Sequence, residues 1–298
     1  MISIRLISLL VAFFINKSFF DVNKTLMAFS VNKSGVMSAD YNRFSEKYGD
    51  HLSQEGDLYI PIGQPKAIVC FFHGGFWRAP YGRDQFDSVA IDFAQAGYII
   101  WNIEYRRVGE VGGGWPGTFE DAILSVNYLS TLQKKYRWSD NLNVVLAGHS
   151  AGGQLALWLT AHAEKKFLQH TPLTIHPDLC IGLAPVVNFE KAYQENLGGQ
   201  AIYKLLGCTP KENPERYTCY DPLFAVHLNT PQIILHGEMD EDLPIAYSIS
   251  YLRAAEARNT SIDLIELEKT GHMDFLEPQS LAVKRWKMLL YLRYGIHK

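Results

Sequence analysis

Short apolar runs recur along this chain, and stretches with helical spacing lie between them. Ala67-Ile68-Val69-Cys70-Phe71-Phe72 and Leu142-Asn143-Val144-Val145-Leu146-Ala147 are two such runs, and Gln232-Ile233-Ile234-Leu235 is a shorter one. Tyr98-Ile99-Ile100-Trp101-Asn102-Ile103-Glu104-Tyr105 reads as a strand, and Ile262-Asp263-Leu264-Ile265-Glu266-Leu267 alternates like one. Runs this short and this apolar predict strands buried on both faces. Phe119, Ala122, Ile123, Val126 and Leu129 recur at the spacing of an amphipathic helix. Gln154 to Ala163, Ile245 to Ala257 and Leu281 to Tyr294 predict further helices. From about Leu58 onward the alternation predicts an α/β fold, a mostly parallel twisted sheet with helices on both faces.

Two stretches break the rhythm. Residues 188–226 contain Gly198-Gly199, Pro210, Pro214 and scattered aromatics. They predict a small cap insertion over the site, the alternative being a surface excursion with no substrate contact. Arg106 to Pro116 follows a predicted strand and carries Gly112-Gly113-Gly114, which suggests a backbone that approaches something closely or moves as a lid. Trp115 is a candidate to stack on an aromatic substrate. Arg106 and Arg107 either meet a substrate carboxylate or pair with Glu104 and Glu120.

Candidate chemistry centres on Gly148-His149-Ser150-Ala151-Gly152, between a predicted strand and a predicted helix. In a sharp strand-to-helix turn the serine backbone is strained, the flanking glycines avoid collisions, and the helix N-terminus points at the serine oxygen. A nucleophilic serine needs a base, an orienting acid and oxyanion donors. After the strand at 232–235 come three competing acids, Glu238, Asp240 and Asp242. After the strand at 262–267, Thr270-Gly271-His272 places a histidine on a loop at the same sheet edge, the candidate base. After the strand at 67–72, His73-Gly74-Gly75-Phe76-Trp77 offers the backbone N–H groups of Gly74 and Gly75, with that of Phe76 as a further candidate, joined by that of Ala151. Phe76, Trp77 and Trp115 are candidates for the pocket wall. His149 is expected to pack against or line the site, and His236 to shape the acid loop.

Composition narrows the function without choosing it. The 298 residues are 47% hydrophobic and 20% charged, ample for a large core, with a formal net charge of -3. The absence of a long basic run argues against nucleic acid as a partner. No cysteine–histidine spacing matches a structural zinc site, and there is no Walker loop or dinucleotide fingerprint. The chemistry needs no cofactor and no metal, only a small-molecule acyl substrate. Cys70 and Cys180 fall in apolar runs as core residues, while Cys208 and Cys219 are loop-like and pair only in an oxidising compartment. Residues 1–36 form a separate extension ahead of a domain from 37 to 298. Its apolar stretch Leu6 to Ile15 is too short to span a bilayer and the length of a signal-peptide core, but no small-x-small cleavage pattern follows. One reading is a dispensable or misassigned extension on a cytoplasmic protein, with translation starting at Met27 or Met37. The other is export or membrane tethering through residues 1–20.

Taken together, His73-Gly74-Gly75-Phe76-Trp77, Gly148-His149-Ser150-Ala151-Gly152, His236-Gly237-x-x-Asp240-x-x-Leu243-Pro244 and Gly271-His272 resemble an α/β-hydrolase, and more narrowly the arylformamidase (kynurenine formamidase) branch and its esterase relatives. The likeness runs from about Tyr41 to the C-terminus and departs at Leu243, where valine is frequent. It implies a Ser150–His272–Asp240 triad, which selects Asp240 among the three acids. It also implies an acyl-enzyme mechanism and N-formyl-kynurenine as substrate. The same motifs occur in broad-specificity carboxylesterases, so small acyl esters are the alternative substrates.

Overall fold

The computed structural model describes residues 40–164, 172–224 and 229–295. The extension 1–36 and its proposed start sites lie outside the described residues. Eight strands form one sheet: β1 (Tyr41–Lys47), β2 (Glu55–Pro61), β3 (Ile68–Phe72), β4 (Ile99–Ile103), β5 (Val144–His149), β6 (Leu179–Leu183), β7 (Gln232–Gly237) and β8 (Asp263–Leu267). Their order is β1-β2-β4-β3-β5-β6-β7-β8. The pairings β1–β2 and β2–β4 are antiparallel, and the others are parallel. The mostly parallel sheet expected from the apolar runs is therefore present.

Alternate residues of the central strands feed two separate cores. Cys70 and Phe72 of β3, Trp101 of β4 and Leu146 of β5 face one side with Phe119, Leu155 and Tyr251. Val69 and Phe71, Ile100 and Val145 face the other with Phe93, Val283 and Trp286. The period-two side-chain alternation of strands explains why these runs read as continuously apolar: both faces are covered. The first face is covered by α2 (Gly117–Asn127), α4 (Ala151–Glu164) and α8 (Ala246–Glu256), and α3 (Leu129–Tyr136) continues α2. The second is covered by α1 (Asp87–Gln95) and α9 (Leu281–Leu290). Phe71, Phe93 and Trp286 form an aromatic cluster there, with Phe93 and Trp286 centroids 4.2 Å apart.

Strand β1 had no sequence signal. Its burial is mostly polar-out, with Glu46 its buried residue. It is an edge strand, and ion pairs tie it on: Lys135 Nζ lies 2.6 Å from Glu46, and Arg43 lies 3.0 Å from Asp57. Between β6 and β7 the chain forms three short helices, α5 (Phe189–Gln194), α6 (Ala201–Leu206) and α7 (Pro214–Tyr220). Buried Asp221 anchors the entrance and exit of this segment. Its carboxylate accepts the N–H groups of Asn188 (3.0 Å), Phe189 (2.6 Å) and Leu223 (3.0 Å). Among the described residues no helix is long and apolar enough to cross a membrane.

Candidate active site

The four loops singled out in the sequence follow β3, β5, β7 and β8. Parallel pairing brings their ends to one edge of the sheet. Phe72 pairs with Gly148, so the His73 loop starts beside the serine turn.

Ser150 sits between β5 and α4 with a φ of 55°, the left-handed region that a side chain occupies only under strain. Its N–H bonds to Leu183 O at 2.9 Å, and its carbonyl accepts from Val186 at 3.1 Å, so the turn is fastened to the end of β6. The glycines of the motif are steric necessities. A Cβ on Gly148 would lie 2.1 Å from Gly152 O, and one on Gly152 would lie 2.0 Å from Phe72 O. Both are far inside contact distance and both meet backbone, which cannot swing aside.

The His73 loop holds three consecutive residues at positive φ: Gly75 (95°), Phe76 (53°) and Trp77 (56°). Such a run turns successive N–H groups toward one side. Among the described residues no protein acceptor meets the N–H groups of Gly74, Gly75 or Ala151. A Cβ on Gly74 would lie 3.2 Å from the Ser150 Cβ, so this glycine is packed directly against the serine. The loop has a rigid foundation. His73 is wholly buried, stacks on Tyr105 at 4.3 Å and places Nε2 2.8 Å from Glu104. Glu104 also accepts the Arg83 N–H at 3.0 Å and meets Arg107 at 3.3 Å. Burial would raise the Glu104 carboxyl, but His73 and Arg107 outweigh it and hold the group below the usual range.

The acid and histidine loops are strapped together. Gly237 packs so tightly on Thr270 that a Cβ would lie 2.1 Å from its carbonyl oxygen, and the Met239 N–H bonds that oxygen at 3.0 Å. Of the three acids, Glu238 and Asp242 point to solvent and Asp240 is buried. Asp240 Oδ2 lies 2.6 Å from His272 Nδ1, and Oδ1 accepts the Leu243 N–H at 2.7 Å. His236 Nε2 lies 2.8 Å from Leu243 O and 3.3 Å from Asp240 Oδ2, while Nδ1 faces the Ser248 hydroxyl at 2.7 Å. Both neighbours of Nε2 only accept, so that nitrogen donates and Nδ1 receives the hydroxyl proton. His236 thus braces the acid loop. Burial works to raise the Asp240 carboxyl, yet its bonds from His236 and His272 prevail and keep it well below the ordinary carboxylate range.

The pocket candidates separate. Phe76 is half-buried, with the Arg78 guanidinium 5.5 Å from its ring centre and Gly198 against its edge. Arg78 donates to Gly198 O, and to Gly199 O at 3.1 Å, fastening the His73 loop to the 188–226 segment. Trp115 is 39% exposed, its N–H bonds Leu205 O at 2.7 Å, and the Arg216 guanidinium covers its ring at 3.4 Å. Trp77 corrects the expectation. It has no exposed surface and packs edge-on to Phe189 at 5.9 Å, so it is a core residue rather than an open pocket wall. The arginines take the structural alternative. Arg106 forms a fork on buried Asp121, at 2.7 and 2.9 Å, and Arg107 lies 2.9 Å from Glu110. Gly112 and Gly113 serve the loop's own folding, since Cβ atoms there would lie 2.8 Å from the Arg106 guanidinium and 1.8 Å from Arg107 O, while one on Gly114 would lie 3.1 Å from Leu205 O of the 188–226 segment. Cys70, Cys180, Cys208 and Cys219 are free thiols, so Cys208 and Cys219 do not pair.

Sequence reasoning missed the support of His272 by His149. His149 Nε2 lies 2.9 Å from the His272 carbonyl, and the two rings are 4.5 Å apart. No pattern along the chain announces a contact across 123 positions.

A mostly parallel sheet covered on both faces, a strained serine at the end of a central strand and a buried acid bonded to a histidine at the same edge define an α/β-hydrolase. Within that class the chain belongs to the BD-FAE family, whose profile matches residues 57–254. Solved structures agree on the fold. A truncated carbohydrate esterase from gut microbiota superposes with a TM-score of 0.73 at 19% identity, over 88% of this chain and 100% of that one. Esterase B from Lactobacillus rhamnosis gives 0.71 at 18% identity, over 98% and 94%. A thermophilic esterase from the Planctomycetes species Thermogutta terrifontis gives 0.65 at 20% identity, over 85% and 91%. A probable dipeptidyl-peptidase 5 from Aspergillus terreus is 22% identical over 227 residues, which is 72% of this chain and 30% of that protein. The chain thus spans under a third of the length of that curated relative.

Proposed function

We propose that this protein is a serine carboxylesterase that cleaves small acyl esters through an acyl-enzyme. Ser150 Oγ attacks the ester carbonyl while His272 Nε2 takes its proton. The C–O bond to the alcohol then breaks, and His272 returns the proton to the leaving alkoxide. Water, deprotonated by His272, attacks the acyl-serine, the acyl C–Oγ bond breaks to release the acid, and His272 returns the proton to Ser150 Oγ. Asp240 fixes the imidazole tautomer with Nδ1–H toward itself and stabilises the imidazolium in each half-reaction. The N–H groups of Gly74, Gly75 and Ala151 hold the oxyanion, a contribution of about 3–4 kcal/mol per donor in comparable sites. The observation that carries the reading is the 2.6 Å bond between buried Asp240 and His272 at the sheet edge where strained Ser150 lies.

The family and the structural likenesses favour esters over the N-formyl-kynurenine that the motif resemblance alone put first, so arylformamidase activity becomes the competitor to be excluded. The decisive experiment measures kcat/KM for p-nitrophenyl acetate and N-formyl-L-kynurenine on one preparation, with Ser150→Ala as blank. Ester turnover at least ~100-fold better than formamide turnover, a difference of about 2.8 kcal/mol in transition-state binding, is expected. The reverse preference would overturn the ester assignment, and activity surviving in Ser150→Ala would overturn the serine mechanism.

A further inference from the structure

His149 directly precedes Ser150 at the end of β5, and its side chain touches both the His272 loop and the His73 loop. Nε2 lies 2.9 Å from the His272 main-chain carbonyl. A carbonyl only accepts, so Nε2 carries the proton and Nδ1 is a bare lone pair. That Nδ1 is buried, has no hydrogen-bond partner among the described residues, and faces Gly74 so closely that a Cβ there would lie 3.1 Å from it. The residue is 2% exposed, and its ring is closed in by the His272 ring at 4.5 Å and Phe275 at 6.0 Å. Burial, reinforced by neighbouring His272, holds this imidazole well below its ordinary range, in keeping with the neutral donor. A phenyl ring would fill this space without any buried polar atom. An imidazole with one unpaired nitrogen is worth its cost only if the other nitrogen's bond does something.

We infer that His149 is a positioning residue that locks the base loop and the oxyanion loop to the nucleophile turn. The inference rests on the reading of Ser150 and His272 as nucleophile and base. Asp240 grips the His272 ring at a single atom, Nδ1. A ring held at one atom can still pivot with its backbone, which carries Nε2 away from the serine. The bond from His149 to the His272 carbonyl fixes that backbone as a second point. The opposite edge of the same ring seats Gly74, whose N–H must face the oxyanion. One side chain rooted next to Ser150 therefore sets the spacing of base, donor and nucleophile.

The test compares His149→Phe, which keeps a flat ring and loses the donor, with His149→Gln, whose amide N–H reaches toward the same carbonyl. Misplacing a catalytic group by about 1 Å costs on the order of 100-fold. His149→Phe is expected to lower kcat on p-nitrophenyl acetate by about 10- to 100-fold with KM within about twofold, and to shift the acid limb of the kcat/KM pH profile. His149→Gln is expected to recover kcat to within about threefold of the parent at a Tm matching that of the Phe variant. A Phe variant with kcat within about twofold of the parent would overturn the inference, as would equal kcat losses in Phe and Gln. If the Phe variant does not fold, His149→Asn, too short to reach the carbonyl, replaces it under the same criteria. Ser150→Ala is run alongside. If it stays active, the serine-esterase reading fails; if it is dead while His149→Phe is unimpaired, only the positioning role fails.

Discussion

Asp240 and His272 meet at 2.6 Å although 32 positions separate them in the chain, and Asp240 is the acid that the motif resemblance selects over its competitors Glu238 and Asp242. Burial separates them in the same way. Asp240 is enclosed and bonded on both oxygens, while Glu238 and Asp242 are solvated.

That difference is directly measurable. Asp240→Asn keeps the shape but offers the imidazole the wrong partner for its tautomer, and kcat should fall about 1,000- to 10,000-fold. Asp242→Asn should leave kcat within about twofold, since surface substitutions remote from the chemistry have little effect. Comparable losses in steady-state kinetics would undo the choice of acid.

The elbow glycines should be intolerant in a graded way. Gly152→Ala puts a methyl 2.0 Å from Phe72 O and 2.4 Å from His73 O. It should cost at least about 3 kcal/mol and lower Tm by several degrees. Gly207→Ala instead places alanine at positive φ (70°), in open space. It should cost only about 1 kcal/mol. Thermal melts of the two variants separate collision from backbone strain.

Arg106 tests whether the glycine-rich loop recognises substrate. Its guanidinium satisfies wholly buried Asp121. Arg106→Met would leave that carboxylate without a countercharge, held by the Gln54 amide at 2.7 Å and the main-chain N–H of residue 106 at 2.8 Å, and should destabilise by about 3 kcal/mol in denaturant titrations. Because the fork faces the protein, KM for a neutral ester should stay within about twofold. A large rise in KM for an anionic ester alone would return Arg106 to substrate binding.

Asp221 gives a pH signature. Burial pushes its carboxyl up to about 6 from an ordinary 3.8, only partly opposed by the N–H groups of Leu223, Phe189 and Asn188. Between those two values the folded state keeps a proton that the unfolded state has released. Stability therefore falls as pH rises through that window, by a few kcal/mol at most. Urea midpoints measured from pH 4 to pH 7 should carry this downward component in the parent, and Asp221→Asn should remove it.

Much of this was legible because the central strands are buried on both faces, and such burial writes itself as unbroken apolar runs. The elbow was legible because collision with backbone forces glycine at Gly148 and Gly152, and its neighbours in sequence supply the geometry. What escaped has the opposite character. Strand β1 shows the core almost nothing, so its composition matches any polar surface segment. Trp77 looked like a pocket aromatic because the sequence cannot show that a positive φ turns the chain and tucks the indole inward. The His149–His272 bond, the Arg106–Asp121 fork and the His73–Glu104 contact join distant positions, and only the assembled sheet brings them together.

The distribution of the working loops also has a temporal side. Ser150, the nucleophile of the proposed mechanism, follows β5, but His272, its proposed base, follows β8, the last strand of the sheet. A chain emerging from the ribosome can form the serine turn long before the histidine has been synthesised. Under that mechanism, until β8 has docked on β7 the serine has no partner to take its proton, and an unfinished chain would carry a harmless hydroxyl. Acquisition of reactivity toward a fluorophosphonate would therefore mark completion of the whole sheet, making a covalent label a clock for folding during synthesis.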